Sequence, residues 1–472
     1  MPATGTPLEP PAASQPQKSN AISWWELWRL VWPQILMMFF QFLVGITDVW
    51  VAGKVHRDVQ AVFGIITQCQ YVLLIVGTAV ANAGVAAISQ SLGAGMPLRA
   101  RRYAGLALKA GLLFSFVALG IPLLLREPIL HLLQVPEPIL PLAEKFWSVL
   151  LIAMPSHYLL ALTGAMFRAR KSVFVPLLTS AMAFVINWFA STGFGLGYWG
   201  LPAFGADGIA YATLISVTAM ALLNLAVLVK QRFLRRDAFA SWRWERKALP
   251  YLVKVALPAG AMQMAWQFGY MALISITASL PKDNINALAG LTAGMRVEYM
   301  LILPVVAFNM TAAMLVGHCL GMGDKEEAKR VGWRLIIASS SLMSLASLLL
   351  WPFIGTVAAL IVSDPDAQVH AQAYLRYNLI AAPCSAASTT LGGIMTGSGS
   401  AIYSLAVFGS AIWFVRLPVA WLFGHILWQS SEGVFLGMLV SQVFQSGIML
   451  FLFHRGSWTR FAMIQRKLKR DA

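Results

Sequence analysis

Apolar residues come in long blocks along this chain, separated by short polar connections. Residues 31–52, 71–92, 106–125, 149–167, 174–197 and 209–229 are nearly free of charge, and so are 255–280, 285–320, 335–362, 377–397, 403–427 and 434–453. At 1.5 Å per residue, a helix needs about 20 apolar residues to cross a bilayer core. The blocks are too long for barrel strands and lack strict apolar–polar alternation. The pattern therefore predicts an all-α integral membrane protein with about twelve transmembrane helices.

The pattern also repeats. Residues 90–102 (QSLGAGMPLRARR) lie 228 positions before 318–330 (HCLGMGDKEEAKR), with Leu92, Gly93, Gly95, Ala100 and Arg102 matched by identical residues. The same offset pairs Ala153, Pro155 and Gly164 with Ala381, Pro383 and Gly392. An offset of 225 pairs Pro33 with Pro258, Gly208 with Gly433 and Ser216 with Ser441. Agreement at a near-constant spacing in separated places marks an internal duplication. Each half holds about six spans, and an even number returns the chain to its starting side. The halves are then parallel repeats around a central cavity, the plan of many secondary transporters. We read residues 1–22 as a disordered arm, 23–231 as one six-helix lobe and 232–250 as a connector. Residues 251–456 form the second lobe, and 457–472 a basic tail.

Composition agrees with this reading. The chain is 58% hydrophobic and 11% charged, against about 25% charged in a typical soluble domain. Its net charge of +16 could suggest nucleic acid, but the distribution argues for lipid. Of the 35 Lys and Arg residues, only Lys54, Arg57, Arg126, Lys145, Lys282 and Arg376 fall on one set of alternate connections, and Arg296 and Arg416 lie inside spans. The rest gather on the other set and at the ends. That is the positive-inside asymmetry, which places both termini in the cytoplasm and the chain in the plasma (inner) membrane. Trp24, Trp25, Trp28 and Trp32 mark an interfacial entry to the first span. The N-terminal stretch lacks the apolar core of a signal peptide. Cys69, Cys319 and Cys384 sit in apolar segments without metal spacing and read as packing residues. The Gly-x-Gly turns after spans two and eight read as sharp reversals; they lack the Lys-Ser/Thr of a phosphate loop.

Charges inside a span are costly, so each is a functional candidate. Asp48 lies six residues before Lys54, about 9 Å inside the boundary at helical rise. Gln41 is two turns earlier on its face, and Gly45 between them admits close helix contact. Two readings of Asp48 stand: a hydrated helix-end carboxylate, or a protonatable, cation-binding one. Asn187 and Ser191 share a face of span five, and Thr213 lies in span six. Their oxygens could ligate a cation, orient a carboxylate, or simply bond neighbouring helices. Arg296 and Glu298 are two apart and point to different faces, so each needs its own partner across the bundle. Arg416, in span eleven, needs a carboxylate or carbonyl. Gln263, Gln267 and Tyr270 are candidates to face the cavity. The many Met, Phe and Trp side chains suit an adaptable apolar pocket or ordinary packing.

Several of these features together resemble the multidrug and toxic compound extrusion (MATE) family. They are Pro33, Gln41 and Asp48-Val-Trp-Val-Ala-Gly53; Gln90-Ser-Leu-Gly-Ala-Gly95 with Ala100; and Gly208-Ile-Ala-Tyr-Ala-Thr213. In the second half they are Arg296-Val-Glu298 with Pro304, Gly317-His-Cys-Leu-Gly-Met-Gly323 and Arg416-Leu-Pro418. The resemblance implies a V-shaped pair of lobes and export of cationic or amphiphilic compounds in exchange for protons or sodium. It matches Asp48 to the family's first-span carboxylate, and Asn187 and Thr213 to polar members of its N-lobe site. Where many relatives carry a fifth-span aspartate, this chain has Ser191. Where the sodium-driven branch carries a seventh-span glutamate and a tenth-span aspartate, the aligned positions are Gln267 or Trp266, and Ser400. One carboxylate makes a weak sodium site but suffices as a proton carrier, so protons are the favoured coupling ion and sodium at Asp48 the alternative. No other cofactor is expected, nor a nucleic-acid partner, and the expected state is a monomer. A lipid-linked oligosaccharide flippase would need more basic cavity residues to hold pyrophosphate. A membrane-embedded enzyme would need a His, Asp or Glu constellation near an interface. A channel would not carry out saturable counter-transport against a gradient.

Overall fold

The computed structural model describes residues 22–463; most of the expected arm and part of the basic tail lie outside them. The N-terminal lobe contains α1 (Trp24–Val55), α2 (Arg57–Gly93), α3 (Pro97–Leu124), α4 (Arg126–Leu132), α5 (Leu140–Ile152), α6 (Met154–Ala169), α7 (Phe174–Leu196) and α8 (Ala206–Lys230). The C-terminal lobe contains α9 (Trp242–Ala278), α10 (Asn284–Met322), α11 (Lys325–Leu350), α12 (Ile354–Ile361), α13 (Pro365–Ser398), α14 (Ala401–Ser410), α15 (Leu417–Trp421) and α16 (Ser431–Arg455). No strand occurs among the described residues. Stretches of π-helix, Ala411–Arg416 and Leu422–Leu427, join α14 and α15 into one span.

Eleven helical segments are long and apolar enough to cross a membrane. The expected span at 255–280 is the exception. Its helix α9 forms, but Gln263, Trp266, Gln267 and Tyr270 lower the hydropathy of its apolar part. Helix α9 also starts at Trp242, inside the stretch read as a connector. The remaining link lies against α3 through Arg101–Asp237 at 3.0 Å, and the first turn of α9 follows it through Lys109–Glu245 at 2.6 Å.

Local chemistry sets the helix ends. Ser23 and Glu26 form a reciprocal capping box at α1, and Asp324 accepts the Glu327 amide at α11 (2.8 Å). Gly95 and Gly323, 228 residues apart, take φ of +68° and +83° and turn the chain after α2 and α10.

Three hydrophobic cores define the overall shape. One joins both lobes at the end where the chain termini lie, with Ala83–Ile88 of α2 against Ala312–Val316 of α10. At the far end the lobes have separate cores, one around Phe63, Trp147 and Ile209, the other around Leu291, Tyr374 and Phe435. A bundle fused at one end and divided at the other encloses a cleft that opens at the far end.

The fused end shows the duplication directly. A Cβ on Gly93 would overlap the His318 backbone; one on Gly321 would overlap the Gln90 backbone. These two contacts exchange under the 228-residue offset. Gly317 meets Ser89, its own equivalent, so the pseudo-twofold axis passes between them. Ser216 donates to the Thr213 carbonyl at 3.1 Å, as Ser441 does to that of Met438 at 2.8 Å.

Candidate functional site

Asp48 sits on α1, seven residues before its end, and is 4% exposed. It points into the N-terminal lobe. Ser191 Oγ of α7 donates to Oδ1 at 2.7 Å, and Thr213 Oγ1 of α8 donates to Oδ2 at 3.2 Å. Thus three helices converge on one carboxylate. Asn187, one turn before Ser191, lies beside Asp48 and is fully buried. Neither polar atom of its amide completes a hydrogen bond. Asp48 itself makes no ion pair among the described residues.

A carboxylate can accept about four hydrogen bonds. Two are taken by hydroxyls, so capacity remains for a cationic group. A protonated carboxyl would instead need an acceptor for its O–H, and the unpaired Asn187 Oδ1 can supply it. The hydrogen-bonding groups around Asp48 can satisfy either state.

Gln41 does not join this cluster: it is exposed and makes no hydrogen bond with a described residue. Nor does Gly45 support a close helix contact, since nothing lies within 4 Å of a Cβ built there. Helices α7 and α8 cover the outer part of this α1 face and leave the two turns below it open.

The second lobe carries a different cluster. Tyr270 Oη of α9 donates to Glu298 Oε1 at 3.3 Å, and Tyr374 Oη of α13 donates to Oε2. Arg416 is 1% exposed. Its expected carboxylate or carbonyl partner is absent among the described residues. Nε donates instead to Ser441 Oγ at 2.9 Å, the guanidinium lies 5.5 Å from the Tyr270 ring centre, and Nη1 has no partner. Tyr270 therefore stands between the cation and the anion. Trp266 stacks on it at 5.8 Å and screens it.

Arg296 differs from both. It is exposed, and the expected partner across the bundle is absent among the described residues. It belongs to a stripe on α10, Thr292, Arg296 and Tyr299, that repeats Gly64, Gln68 and Tyr71 on α2 at the 228-residue offset. Tyr71 and Tyr299 lie near each other, yet are 51% and 57% exposed. The two stripes thus occupy equivalent exposed positions on the neighbouring helices α2 and α10. Gln267 donates to Gln68 at 3.4 Å, and Thr78 donates to Gln263 at 3.2 Å, so these two glutamines bridge α9 to α2.

Gln90 was legible only as part of a turn motif. Buried at the fused end, its Nε2 donates to Tyr251 Oη (3.0 Å) and the Gly397 carbonyl (2.7 Å), and its Oε1 accepts from the Met463 amide (2.9 Å). All three partners belong to the second half. Because buried groups left unpaired cost about 1–3 kcal/mol, Gln90→Leu should lower stability by about that amount. Thermal unfolding of the purified protein in detergent checks this.

Known proteins resemble this chain in sequence and in fold. A family model described as MatE matches residues 33–191 and 258–422. A probable multidrug resistance protein, NorM, of Thermotoga maritima is 23% identical over 451 residues, covering 94% of each chain. A protein of the same description from Bradyrhizobium diazoefficiens is 24% identical over 468 residues, covering 97% of each. The probable multidrug resistance protein YpnP of Bacillus subtilis is 25% identical over 362 residues, covering 76% of this chain and 78% of that one. Among solved structures, the Vibrio cholerae MATE transporter VcmN in its bent form superposes with a TM-score of 0.84 at 20% identity, covering 93% of this chain and 98% of that one. An outward-facing MATE family transporter of the MOP superfamily gives 0.85 at 17% identity, covering 92% and 96%. These structural likenesses speak to the fold.

Proposed function

We infer, because this chain belongs to the MatE family of multidrug efflux transporters, that it is a secondary antiporter. In this reading it exports cationic or amphiphilic organic compounds in exchange for protons, by alternating access across the plasma membrane. Asp48 carries the reading: it is a buried carboxylate held only by neutral groups. A lone negative charge at that depth is costly. A proton or a cationic group offsets it, and one carboxylate accommodates one of them at a time. Mutual exclusion at a single group is the physical basis of exchange.

The basic residues favour cytoplasmic termini, which makes the fused end cytoplasmic and the open cleft external. A proton entering from outside would meet Asp48 and displace the cargo cation, with Asn187 Oδ1 accepting the new O–H. Return of the lobes to an inward-open arrangement would release that proton to the cytoplasm and admit fresh cargo. Tyr71, Tyr299 and Arg296 then give the cleft wall aromatic faces and one cation. We take the transporter to act as a monomer.

Sodium is the alternative ion. Its ligands at this site would be one carboxylate oxygen and the neutral oxygens of Ser191, Thr213 and Asn187, a weaker set than two carboxylates. Purified protein in vesicles, given a proton gradient or a sodium gradient separately, distinguishes them. Transport of a fluorescent organic cation should follow the proton gradient and ignore the sodium gradient. Transport under sodium alone would transfer the coupling role to that ion.

A further inference from the structure

A groove of about 290 Å³ runs along the membrane-facing surface between the two lobes, at the fused end. Its walls are Trp24 and Trp28 of α1, Phe308 of α10, and Leu335, Leu342 and Leu345 of α11. Phe308 and Leu335 are buried and form the floor; Trp24, Trp28 and Leu345 are about half exposed and form the edges. From Leu335 to Leu345, α11 rises about 15 Å, half of the roughly 30 Å hydrocarbon core. The groove therefore has the depth of one leaflet and follows the direction of an acyl chain.

Its mouth has a matching chemistry. Arg334, one residue before the floor, is only partly buried. Its guanidinium donates to the Ile22 carbonyl and lies 5.8 Å from the Trp24 ring. It pairs with no carboxylate among the described residues. The nearby Glu327 is already engaged, accepting from the Ile22 amide at 3.0 Å and from Arg330 at 3.1 Å. Arg334 is thus a cation at the interface without a counter-anion among the described residues, beside indoles of the kind that settle at headgroup level.

We propose that this groove binds one anionic glycerophospholipid, with an acyl chain against Phe308 and Leu335 and its phosphodiester on Arg334. The occupant would touch α1 of one lobe and α10 and α11 of the other, and so brace the closed end of the V. The inference goes beyond the transport reading and does not depend on which ion is coupled.

Photocrosslinking of the full chain in lipid nanodiscs tests it. The probe is phosphatidylglycerol with a diazirine in its acyl chain. Adducts should concentrate on peptides covering residues 24–31 and 335–345. Unlabelled phosphatidylglycerol should compete about fivefold better than phosphatidylcholine, as expected for one interfacial arginine worth about 1 kcal/mol. Arg334→Gln should erase that preference, and Ala338→Trp, which fills the groove, should remove the adducts. If either variant fails to fold, the competition on the unaltered chain decides alone. Adducts spread evenly over exposed faces such as Leu113 and Leu222 would mean ordinary solvation by lipid. Equal competition by the two lipids would overturn the proposal as well.

Discussion

Asp48→Asn should abolish gradient-driven transport, lowering it by at least ~100-fold in proteoliposomes, a loss within the range for removing a positioned proton-transfer group. The amide keeps the size of the side chain and can still accept from Ser191 or Thr213, so the fold should survive. What disappears is the capacity to carry a negative charge, and with it the choice between proton and cation. Among the N-lobe helices no second acid stands ready to replace it: Asp58, Glu127, Glu137, Glu144 and Asp207 lie within the first two turns of helical segments at the far end, and Glu26 caps α1 at the fused end. Asp48→Glu keeps the charge but adds a methylene in a fully packed position, and should retain partial activity. Ser191→Ala should have a smaller effect, since it removes one of two hydroxyl donors. A D48N protein that still accumulates substrate at the normal rate under a pH gradient would remove the basis of the proposed exchange.

The second large effect is expected at the crossing of α2 and α10. Gly93→Ala or Gly321→Ala would place a methyl group against the partner helix's backbone, which cannot rotate away. Overpacking of this kind costs about 1–3 kcal/mol, and here the strain falls on the surface that joins the lobes. The two substitutions press on one interface from symmetric positions. Once one has separated the helices, the other should cost less, so the double variant should lose less than the two singles together. Cys319, fully buried beside this crossing, reports the separation. With Cys69 and Cys384 replaced by alanine, its reaction with a maleimide should accelerate in either glycine variant. Unchanged melting and unchanged labelling would show that the crossing tolerates the added methyl.

Much of the architecture was legible before any tertiary contact was known. Block length set the number and type of spans to within one, and α9 differs for a readable reason, its polar and aromatic side chains. The repeat was visible as an offset, and its contacts at Gly93, Gly317 and Gly321 show what it serves. The site was legible in part. The depth of Asp48 and the four-residue spacing of Asn187 and Ser191 are properties of single helices. Their meeting with Thr213 spans 165 residues of chain, which periodicity does not encode.

Electrostatic partners were the least legible feature. Arg416, Arg296 and Glu298 each present a charge that needs an explanation, but a charge does not name its neighbour. Arg416 rests on a hydroxyl and a ring, Glu298 on two tyrosines, and Arg296 is exposed. Tyr374 gave no local signal, because it precedes the apolar run and resembles an interfacial tyrosine.

The sequence by itself determined that this chain spans a membrane as two similar helical halves and that a carboxylate lies deep in the first. Apolar run length, basic-residue asymmetry and offset repetition are one-dimensional quantities, so a one-dimensional record carries them. Only the tertiary structure decided which polar groups meet, which glycines bring helices together and which leave open space, and where a groove lies beside an unpaired arginine. Those outcomes depend on the angle and register at which helices cross, and packing among distant segments sets both.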